Sequence, residues 1–302
     1  MCPPPLMKID HSLFRLDRMI ALRLTPDYDE REAKAIAACY LADRFKVNRT
    51  DILLDKTLSL TCEENDRLQE DIFRLERGEP LQYVLGHAEF DGHFFEVSPA
   101  VLIPRVETVG LVELAAARCS KGRACILDVG TGSGCIAASL ALRLPDADIT
   151  AWDISPDALA VARGNAASLG ANIRFEQKDV IPLSEESCPP ERPFDLIVSN
   201  PPYIRRREAA DMARHVVEHE PHTALFVPDY DPLVFYRALG RFGTTHLADG
   251  GVLCVETHRD YNRHVLELFE LLGYDDVSAS NDCFDAPRFV CGVMRRKSHH
   301  QQ

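Results

Sequence analysis

One run of four residues has the chemistry needed to hold a planar NH₂ group: Asn200, Pro201, Pro202 and Tyr203. An amide nitrogen is a poor nucleophile because its lone pair is delocalised into the carbonyl, so it must be aligned with the bond that it attacks. The Asn200 side-chain oxygen and the Pro201 carbonyl can each accept one N–H, which also favours the positive charge that builds on nitrogen during transfer. The prolines fix φ at both positions, and Tyr203 can lie against the flat face of the target. The motif therefore predicts a site that aims a planar nitrogen at an electrophile.

A glycine-rich loop lies earlier in the chain and consists of Gly130, Thr131, Gly132, Ser133 and Gly134. Glycines let the backbone turn sharply and approach a ligand without a Cβ clash. A dinucleotide-binding fingerprint would need a glycine at position 135, where this chain has cysteine, and a P-loop would need a lysine that is absent here. The G-x-G-x-G spacing therefore favours a ligand without a pyrophosphate.

Two aspartates lie at the ends of the next two predicted strands. Asp153 lies 19 residues after Gly134, at a spacing suited to accepting hydrogen bonds from both ribose hydroxyls of a nucleoside. Asp179 could accept from an adenine amino group, although either acid could instead cap a helix or a turn. Taken with the loop, the acids predict a nucleoside cofactor, and S-adenosylmethionine combines a nucleoside with an electrophilic methyl group.

The elements that must position these residues alternate between strand and helix. Strands are predicted at 124–129, 148–153, 172–178, 194–199 and 250–256, with helices between them. One helix is well delimited, because Ser155 can cap it, Pro156 suits its first position and Gly170 can end it. Such alternation predicts a parallel sheet covered by helices. Segments 274–282 and 287–295 have no helix between them and predict an antiparallel hairpin at the sheet edge.

The N-terminal part has a different pattern. Apolar residues recur at helical spacing in segments 10–24, 29–46, 50–54 and 63–77. A turn between aromatic residues at 90–94 predicts a β-hairpin. We therefore expect a small helical domain over 1–80, a β-hairpin linker over 81–107, a catalytic α/β domain over 108–297 and a tail over 298–302.

Composition excludes some classes of protein. The 302 residues carry a net charge of −13, which argues against electrostatic capture of nucleic-acid backbones. Arg205–Arg207 are the best candidate for a locally basic patch. No uninterrupted run of about 18 apolar residues predicts a membrane span, and we recognise no secretory signal. The ten cysteines form no C-x-x-C pair, which favours a reducing cytosol, and Cys125, Cys135, Cys254 and Cys291 are predicted in the core.

With these motifs identified, residues 76–296 resemble the release-factor glutamine methyltransferase family (PrmC/HemK). The similarity includes segments 86–90 and 101–108, the glycine loop, Asp153, the Asn200–Tyr203 motif and the pairs 220–221 and 224–225. It implies a seven-stranded, Rossmann-like class I methyltransferase sheet with a small helical substrate-recognition domain. It also implies cytoplasmic N5-methylation, with S-adenosylmethionine, of the glutamine in the Gly-Gly-Gln loop of peptide-chain release factors.

The resemblance also assigns roles to individual residues. The cofactor residues are Gly130 to Gly134, Asp153 and Asn200, and the substrate residues are Asn200 to Tyr203. The chain departs from the family pattern at Val106 and Val109, where the family usually has proline and glutamate. It also departs at Val180, where some members place an aromatic residue beside the adenine.

Other functions fit parts of the same pattern. A nucleic-acid amino-methyltransferase would act on adenine, cytosine or guanine, because these bases also present a planar NH₂. A nucleoside-binding module without catalysis would use the loop and the acids alone. The acidic charge and the helical domain favour a protein substrate, without direct nucleic-acid binding.

Residues 215–219 read H-x-x-E-H, which is the pattern of an inverted zinc metalloprotease motif. On a helix, His215 and His219 would share a face and could bind zinc. No third ligand is specified, and the segment lies between methyltransferase elements. We therefore expect a solvated helix face and no metal site.

Overall fold

The structure is a computed structural model that describes residues 8–119, 123–185 and 192–296. Its helices are α1 (Leu13–Leu24), α2 (Glu30–Phe45), α3 (Arg49–Leu53), α4 (Cys62–Glu76), α5 (Leu81–Leu85), α6 (Val109–Arg118), α7 (Cys135–Arg143), α8 (Pro156–Leu169), α9 (Val180–Leu183), α10 (Arg214–His219), α11 (His222–Leu225), α12 (Val234–His246) and α13 (Asn262–Leu271). Its strands are β1 (Lys8–Ser12), β2 (Thr57–Thr61), β3 (His87–Phe90), β4 (His93–Glu96), β5 (Cys125–Val129), β6 (Asp148–Asp153), β7 (Ile173–Gln177), β8 (Phe194–Ser199), β9 (Ile204–Arg205), β10 (Phe226–Val227), β11 (Leu247–Glu256), β12 (Asp275–Asn281) and β13 (Pro287–Met294). Short 3-10 helices cover Val106–Thr108 and Arg206–Asp211.

The chain forms two compact units. The first ends at Gly86 and also contains Ala213–His219, and the second contains His87–Met212 and resumes at Glu220. The domain boundaries at 80 and 107 stay predictions. Within the described ranges, no helix is both long enough and apolar enough to cross a membrane.

The first unit is helical, as the apolar spacing predicts. Its core includes Tyr40, whose hydroxyl donates to the buried carboxylate of Asp71 at 3.0 Å, and Arg44 donates to the same carboxylate. Strands β1 and β2 pair antiparallel, and the sequence analysis missed them. The helix predicted at 10–24 begins instead at Leu13, because the Ser12 side chain accepts from the Arg15 N–H and caps it.

The segment Ala213–His219 packs within this first unit. The rings of Tyr28 and His215 are stacked, with their centroids 5.6 Å apart. Arg214 lies 3.2 Å from the Asp27 carboxylate and donates to Glu218. The H-x-x-E-H helix is therefore held by ring stacking and ion pairs.

The second unit is built on a seven-stranded sheet with the order β12-β13-β11-β8-β5-β6-β7. Strands β11, β8, β5, β6 and β7 run parallel, and β13 is antiparallel to both of its neighbours. The predicted α/β class, the seven strands and the terminal antiparallel hairpin are confirmed. The predicted caps of α8 are also present, with Ser155 accepting from Ala158 and Gly170 in the left-handed conformation at its end.

Both faces of the central part of this sheet are buried. Ile126 and Leu196 belong to the core cluster on one face, whereas Leu127 and Ile197 belong to the cluster on the other. This alternation explains why β5 is buried at all five positions, as is typical of a parallel strand covered on both sides. The hairpin β3–β4 adds Phe90 and Phe95 to the first of these clusters, and the four predicted core cysteines are buried.

Candidate active site

The predicted site residues follow four neighbouring strands of the sheet. In the β5–β8 register Asp128 is opposite Val198, and in the β5–β6 register Val129 is opposite Trp152. Strand β7 extends the sheet on the far side of β6, where Gln177 is opposite Asp153. Because these strands are parallel, their carboxyl ends lie at one edge. This topology brings together the glycine loop, both aspartates and the Asn200 segment.

The glycine loop has the backbone conformation that only glycine adopts easily. The φ angles of Gly130, Gly132 and Gly134 are 73°, 55° and 80°. A Cβ added to Gly130 or Gly132 would meet nothing within 4 Å, whereas a Cβ added to Gly134 would lie 3.0 Å from the Ala162 Cβ. The first two glycines thus face open space that a ligand can fill, and the third lets α7 pack closely against α8.

Hydrogen bonds from the neighbouring strands fix the start of the loop. The backbone N–H groups of Gly130 and Thr131 donate to the Trp152 carbonyl at 2.8 and 2.9 Å. The Thr131 hydroxyl donates to Asp128 at 2.6 Å. Asp128 is completely buried, and this burial raises the pKa of its carboxyl to about 7. A fully buried acid therefore holds the loop in place through the Thr131 hydroxyl.

Asn165 supports the other end of the loop, and the sequence analysis did not identify it. Its side-chain NH₂ donates to the Ser133 carbonyl at 2.9 Å and to the Glu96 carbonyl at 3.0 Å, and its oxygen accepts from the Glu96 N–H at 2.7 Å. Asn165 is completely buried on α8. A polar residue on the buried face of this helix was the available signal. The side chain ties the β4 strand to the glycine loop.

Asp153 is bonded to the backbone through both of its side-chain oxygens. One oxygen accepts from the Gly132 N–H at 2.8 Å and the other from the Ser155 N–H at 2.9 Å. An ionised carboxylate has about four acceptor positions, so two remain after these bonds. The capping role and the predicted ribose-binding role are therefore compatible.

Asp179 and Val180 lie at the start of α9. Asp179 accepts from the Ile181 N–H at 2.9 Å and forms the N-cap of that helix. Val180 is buried and belongs to the same core cluster as Trp152. Capping accounts for Asp179 on its own, so contact of either residue with an adenine stays a prediction.

The amide of Asn200 belongs to a hydrogen-bonded network that the motif alone did not reveal. Its NH₂ group donates to the Thr108 hydroxyl at 3.2 Å, and Thr108 donates to the Glu256 carboxylate at 2.6 Å. The Tyr203 hydroxyl donates to the other Glu256 oxygen at 3.3 Å. Glu256 thus links the two polar members of the motif. Pro201, which lies between Asn200 and Tyr203 in the chain, is buried.

Glu256 is a buried acid with only 1% of its surface exposed. Burial raises the pKa of its carboxyl, opposed by the hydrogen bond from Thr108 and by the charge of Arg288. Burial also raises the pKa of Tyr203 well above its ordinary value. A carboxylate that ends the apolar strand β11 was a signal for this residue, but its partners lie more than 50 positions away.

An ion pair between the buried Glu220 carboxylate and the partly exposed Arg105 holds the segment that carries Thr108. Glu220 accepts from the Ile103 N–H at 3.2 Å and from the Arg105 guanidinium at 2.5 Å, and its side chain is 1% exposed. Loss of Arg105 would leave the buried Glu220 carboxylate without its charged partner, which is destabilising. The resemblance of segments 101–108 and 220–221 to one family therefore has a structural reason.

Two other sequence features have ordinary explanations. No group of three metal-ligating side chains occurs within residues 8–119, 123–185 and 192–296, which include the segment 215–219. In the basic cluster, Arg205 pairs with Glu208, and its guanidinium lies 5.4 Å from the centroid of the Tyr261 ring. This arginine is therefore engaged within the protein.

Two protein-family models match the chain. The model described as "PrmC N-terminal domain" matches residues 19–86, and the model described as "Methyltransferase small domain" matches residues 111–225.

Several curated relatives match along most of the chain. The release factor glutamine methyltransferase of Bacteroides thetaiotaomicron is 41% identical over 276 residues, which cover 91% of this chain and 98% of the relative. The protein of the same name from Flavobacterium psychrophilum is 35% identical over 267 residues, covering 87% and 92%. That of Chlorobaculum tepidum is 40% identical over 261 residues, covering 83% and 87%.

Two solved structures that resemble the chain share less of its sequence. A methyltransferase from Pyrococcus furiosus has a TM-score of 0.48 at 16% identity, covering 78% of this chain and 99% of that one. TrmN from Thermus thermophilus has a TM-score of 0.43 at 21% identity, covering 66% and 49%.

Proposed function

The chain belongs to the release factor glutamine methyltransferases, and we propose that it methylates the glutamine of the Gly-Gly-Gln loop in peptide-chain release factors. The methyl group goes from S-adenosylmethionine to the side-chain amide nitrogen. The observation that carries the proposal is the Asn200 amide, which lies at the carboxyl end of β8 with its NH₂ group held by Thr108. The neighbouring strand β5 ends in the glycine loop.

The residues of that edge fit the cofactor. Gly130 and Gly132 leave open space where side chains would otherwise project. Asp153 has acceptor positions left for the ribose hydroxyls. S-adenosylmethionine supplies a methyl group on a positively charged sulfur, which is electrophilic. Asp179 and Val180 are the residues that we assign to the adenine.

The Asn200 segment prepares the acceptor nitrogen. The Asn200 oxygen and the Pro201 carbonyl accept the two N–H groups of the substrate amide and aim its nitrogen along the line of transfer. The same dipoles stabilise the positive charge that develops on nitrogen. Tyr203 stays protonated because burial raises its pKa. Its ring therefore packs against the flat face of the substrate amide and its hydroxyl donates a hydrogen bond, and it does not act as a base. Pro202 keeps the segment stiff.

The remaining assignments follow from the substrate. We assign recognition of the release factor to the first unit, which has the match to the N-terminal domain model of this family. The net charge of −13 suits a protein substrate and disfavours direct nucleic-acid binding. Release factors act on cytoplasmic ribosomes, so we propose the same compartment for this protein.

Methyl transfer from labelled S-adenosylmethionine tests the proposal. The purified protein is incubated with a release factor made without this modification, with the same factor carrying alanine in place of the loop glutamine, or with bulk RNA and DNA. Label on the first substrate alone, located on the glutamine by mass spectrometry, is the expected result. Label on nucleic acid alone would overturn the proposal.

The variant Asn200→Ala tests the chemistry at the acceptor. Loss of one oriented hydrogen-bonding group of this kind lowers kcat by about 100- to 1,000-fold. The matched control is Asn281→Ala at the end of the edge strand β12, where the exposed Asn281 side chain donates to Asp285 in the following turn. This variant is expected to leave transfer unchanged. Near-normal turnover by folded Asn200→Ala would contradict the assignment.

A further inference from the structure

We propose that Thr108 and Glu256 are positioning residues that fix which end of the Asn200 amide faces the substrate. The inference rests on the proposed function, because it concerns the group that accepts hydrogen bonds from the target nitrogen. Thr108 lies in the 3-10 helix that follows segment 101–105, and Glu256 is the last residue of β11. Neither side chain belongs to the motif.

The Thr108 hydroxyl has a single proton to donate. Its oxygen lies 2.6 Å from a Glu256 carboxylate oxygen, and an ionised carboxylate can only accept. The proton must therefore point to Glu256. Towards Asn200, 3.2 Å away, the hydroxyl can only accept. The Asn200 NH₂ group must face Thr108, and this leaves its oxygen at the opposite end of the amide.

That orientation matters because the two ends of an asparagine amide have almost the same shape. With the oxygen outwards, Asn200 accepts an N–H from the substrate. With the NH₂ group outwards, two donors would face each other, and the substrate nitrogen would lose the bond that aims it. The relay through Thr108 therefore decides whether the same side chain supports or opposes the reaction.

Glu256 must be ionised to direct this relay. The titratable and charged groups around it are Arg288 on β13, Tyr203 after β8, Glu107 beside Thr108 and Tyr236 on α12. Burial is the largest influence and raises the pKa of its carboxyl, whereas Arg288 opposes that shift. When Glu256 gains a proton it can donate to Thr108, and Thr108 can then donate to the Asn200 oxygen. Protonation would thus reverse the amide, so kcat should fall towards acid pH.

Substitutions at Thr108 separate positioning from packing. Thr108→Val keeps the shape and removes the hydroxyl, whereas Thr108→Ser keeps the hydroxyl. We expect Thr108→Val to lower kcat by about 10- to 100-fold, equivalent to about 1.4–2.7 kcal/mol. Its KM for S-adenosylmethionine should stay close to that of the wild type, and Thr108→Ser should recover most of the rate. The control Thr150→Val places the same change on buried β6, where no loss of kcat is expected.

The variant Glu256→Gln tests the direction of the relay. A glutamine side chain has one acceptor oxygen, and two hydroxyls, those of Thr108 and Tyr203, donate to Glu256 in the wild type. One donor is therefore left without an acceptor, so kcat should fall. The acid limb of the wild-type kcat profile should also disappear. A wild-type kcat for Thr108→Val, or an unaltered acid limb in Glu256→Gln, would overturn the inference.

A measurement without substrate keeps this test independent of the proposed function. The NH₂ resonances of Asn200, assigned by their loss in Asn200→Ala, should shift in Thr108→Val and return in Thr108→Ser. Resonances that ignore both changes would refute the relay. Failure of the wild-type protein to methylate a release factor would instead refute the proposed function, while these spectra would still report on the relay.

Discussion

Replacement of Asn165 by leucine is expected to destabilise the second unit by about 2–4 kcal/mol. Leucine has a similar size but cannot replace the three hydrogen bonds to Glu96 and Ser133. A hydrogen bond contributes about 0.5–1.5 kcal/mol, and a buried polar group left without a partner costs about 1–3 kcal/mol. The bond to Ser133 is fully buried and takes the larger value, whereas water can partly replace the bonds to Glu96, which are less buried. These values together set the expected range.

Urea unfolding followed by tryptophan fluorescence measures this change in the second unit alone. The chain has one tryptophan, Trp152, which is buried in β6. The midpoint should fall with little change in the slope, because the surface exposed on unfolding stays the same. The control is Ser168→Ala, which removes a hydroxyl bond from the exposed side of the same helix and should cost no more than about 0.5 kcal/mol.

The variant Asn165→Leu should also weaken binding of S-adenosylhomocysteine, because the Ser133 carbonyl would lose the hydrogen bond that holds its end of the glycine loop. Isothermal titration calorimetry below the unfolding midpoint measures this effect. An Asn165→Leu midpoint equal to that of Ser168→Ala would show that the three side-chain hydrogen bonds of Asn165 add little to stability.

Three further predictions concern the loop and its supports. Because burial raises the pKa of Asp128 to about 7, the folded chain binds that proton more tightly than the unfolded chain, and stability should fall as pH rises from about 4 to 7. Urea unfolding of the wild type at these two pH values measures the fall, and Asp128→Asn should remove the part of it that comes from this carboxyl. Asp153→Asn should weaken S-adenosylhomocysteine binding by about 5- to 30-fold, because bonds to a charged acceptor become bonds to a neutral one; an unchanged dissociation constant in calorimetry would contradict a ribose contact. Gly134→Ala should cost about 2–3 kcal/mol in urea unfolding, since its Cβ would crowd Ala162 at a φ of 80°, whereas Gly170→Ala, with open space and a φ of 69°, should cost only about 1 kcal/mol; equal losses would remove packing as the reason.

Local patterns were sufficient to predict most of the sheet and the placement of the motifs. Parallel strands must end at the same edge, so the loop at 130–134, Asp153 and Asn200 could be brought together without coordinates. Capping signals such as Ser155 and Gly170 were sufficient to predict the ends of one helix, because caps act within a few residues of the chain. The strand pair β1–β2 was missed because it joins segments 45 or more positions apart, with no period of its own to mark it.

The supporting residues could not be predicted in the same way. Thr108 and Glu256 are 148 positions apart, and Asn165 contacts Glu96 69 positions away. The residues that they contact are determined by the register of the strands and by the orientation of each helix. Neither can be predicted from the spacing of residues in the sequence. A buried polar side chain in an apolar element is the one signal that the sequence carries for them.

The return of Ala213–His219 to the first unit has a practical consequence for genetic dissection. A fragment that stops at residue 86 contains the whole region matched by the N-terminal family model, yet it lacks the helix that stacks against Tyr28. A chimera that exchanges the first unit between two relatives would have to transplant both pieces together. A single crossover after residue 86 would combine the N-terminal segment of one relative with the 213–219 helix of the other.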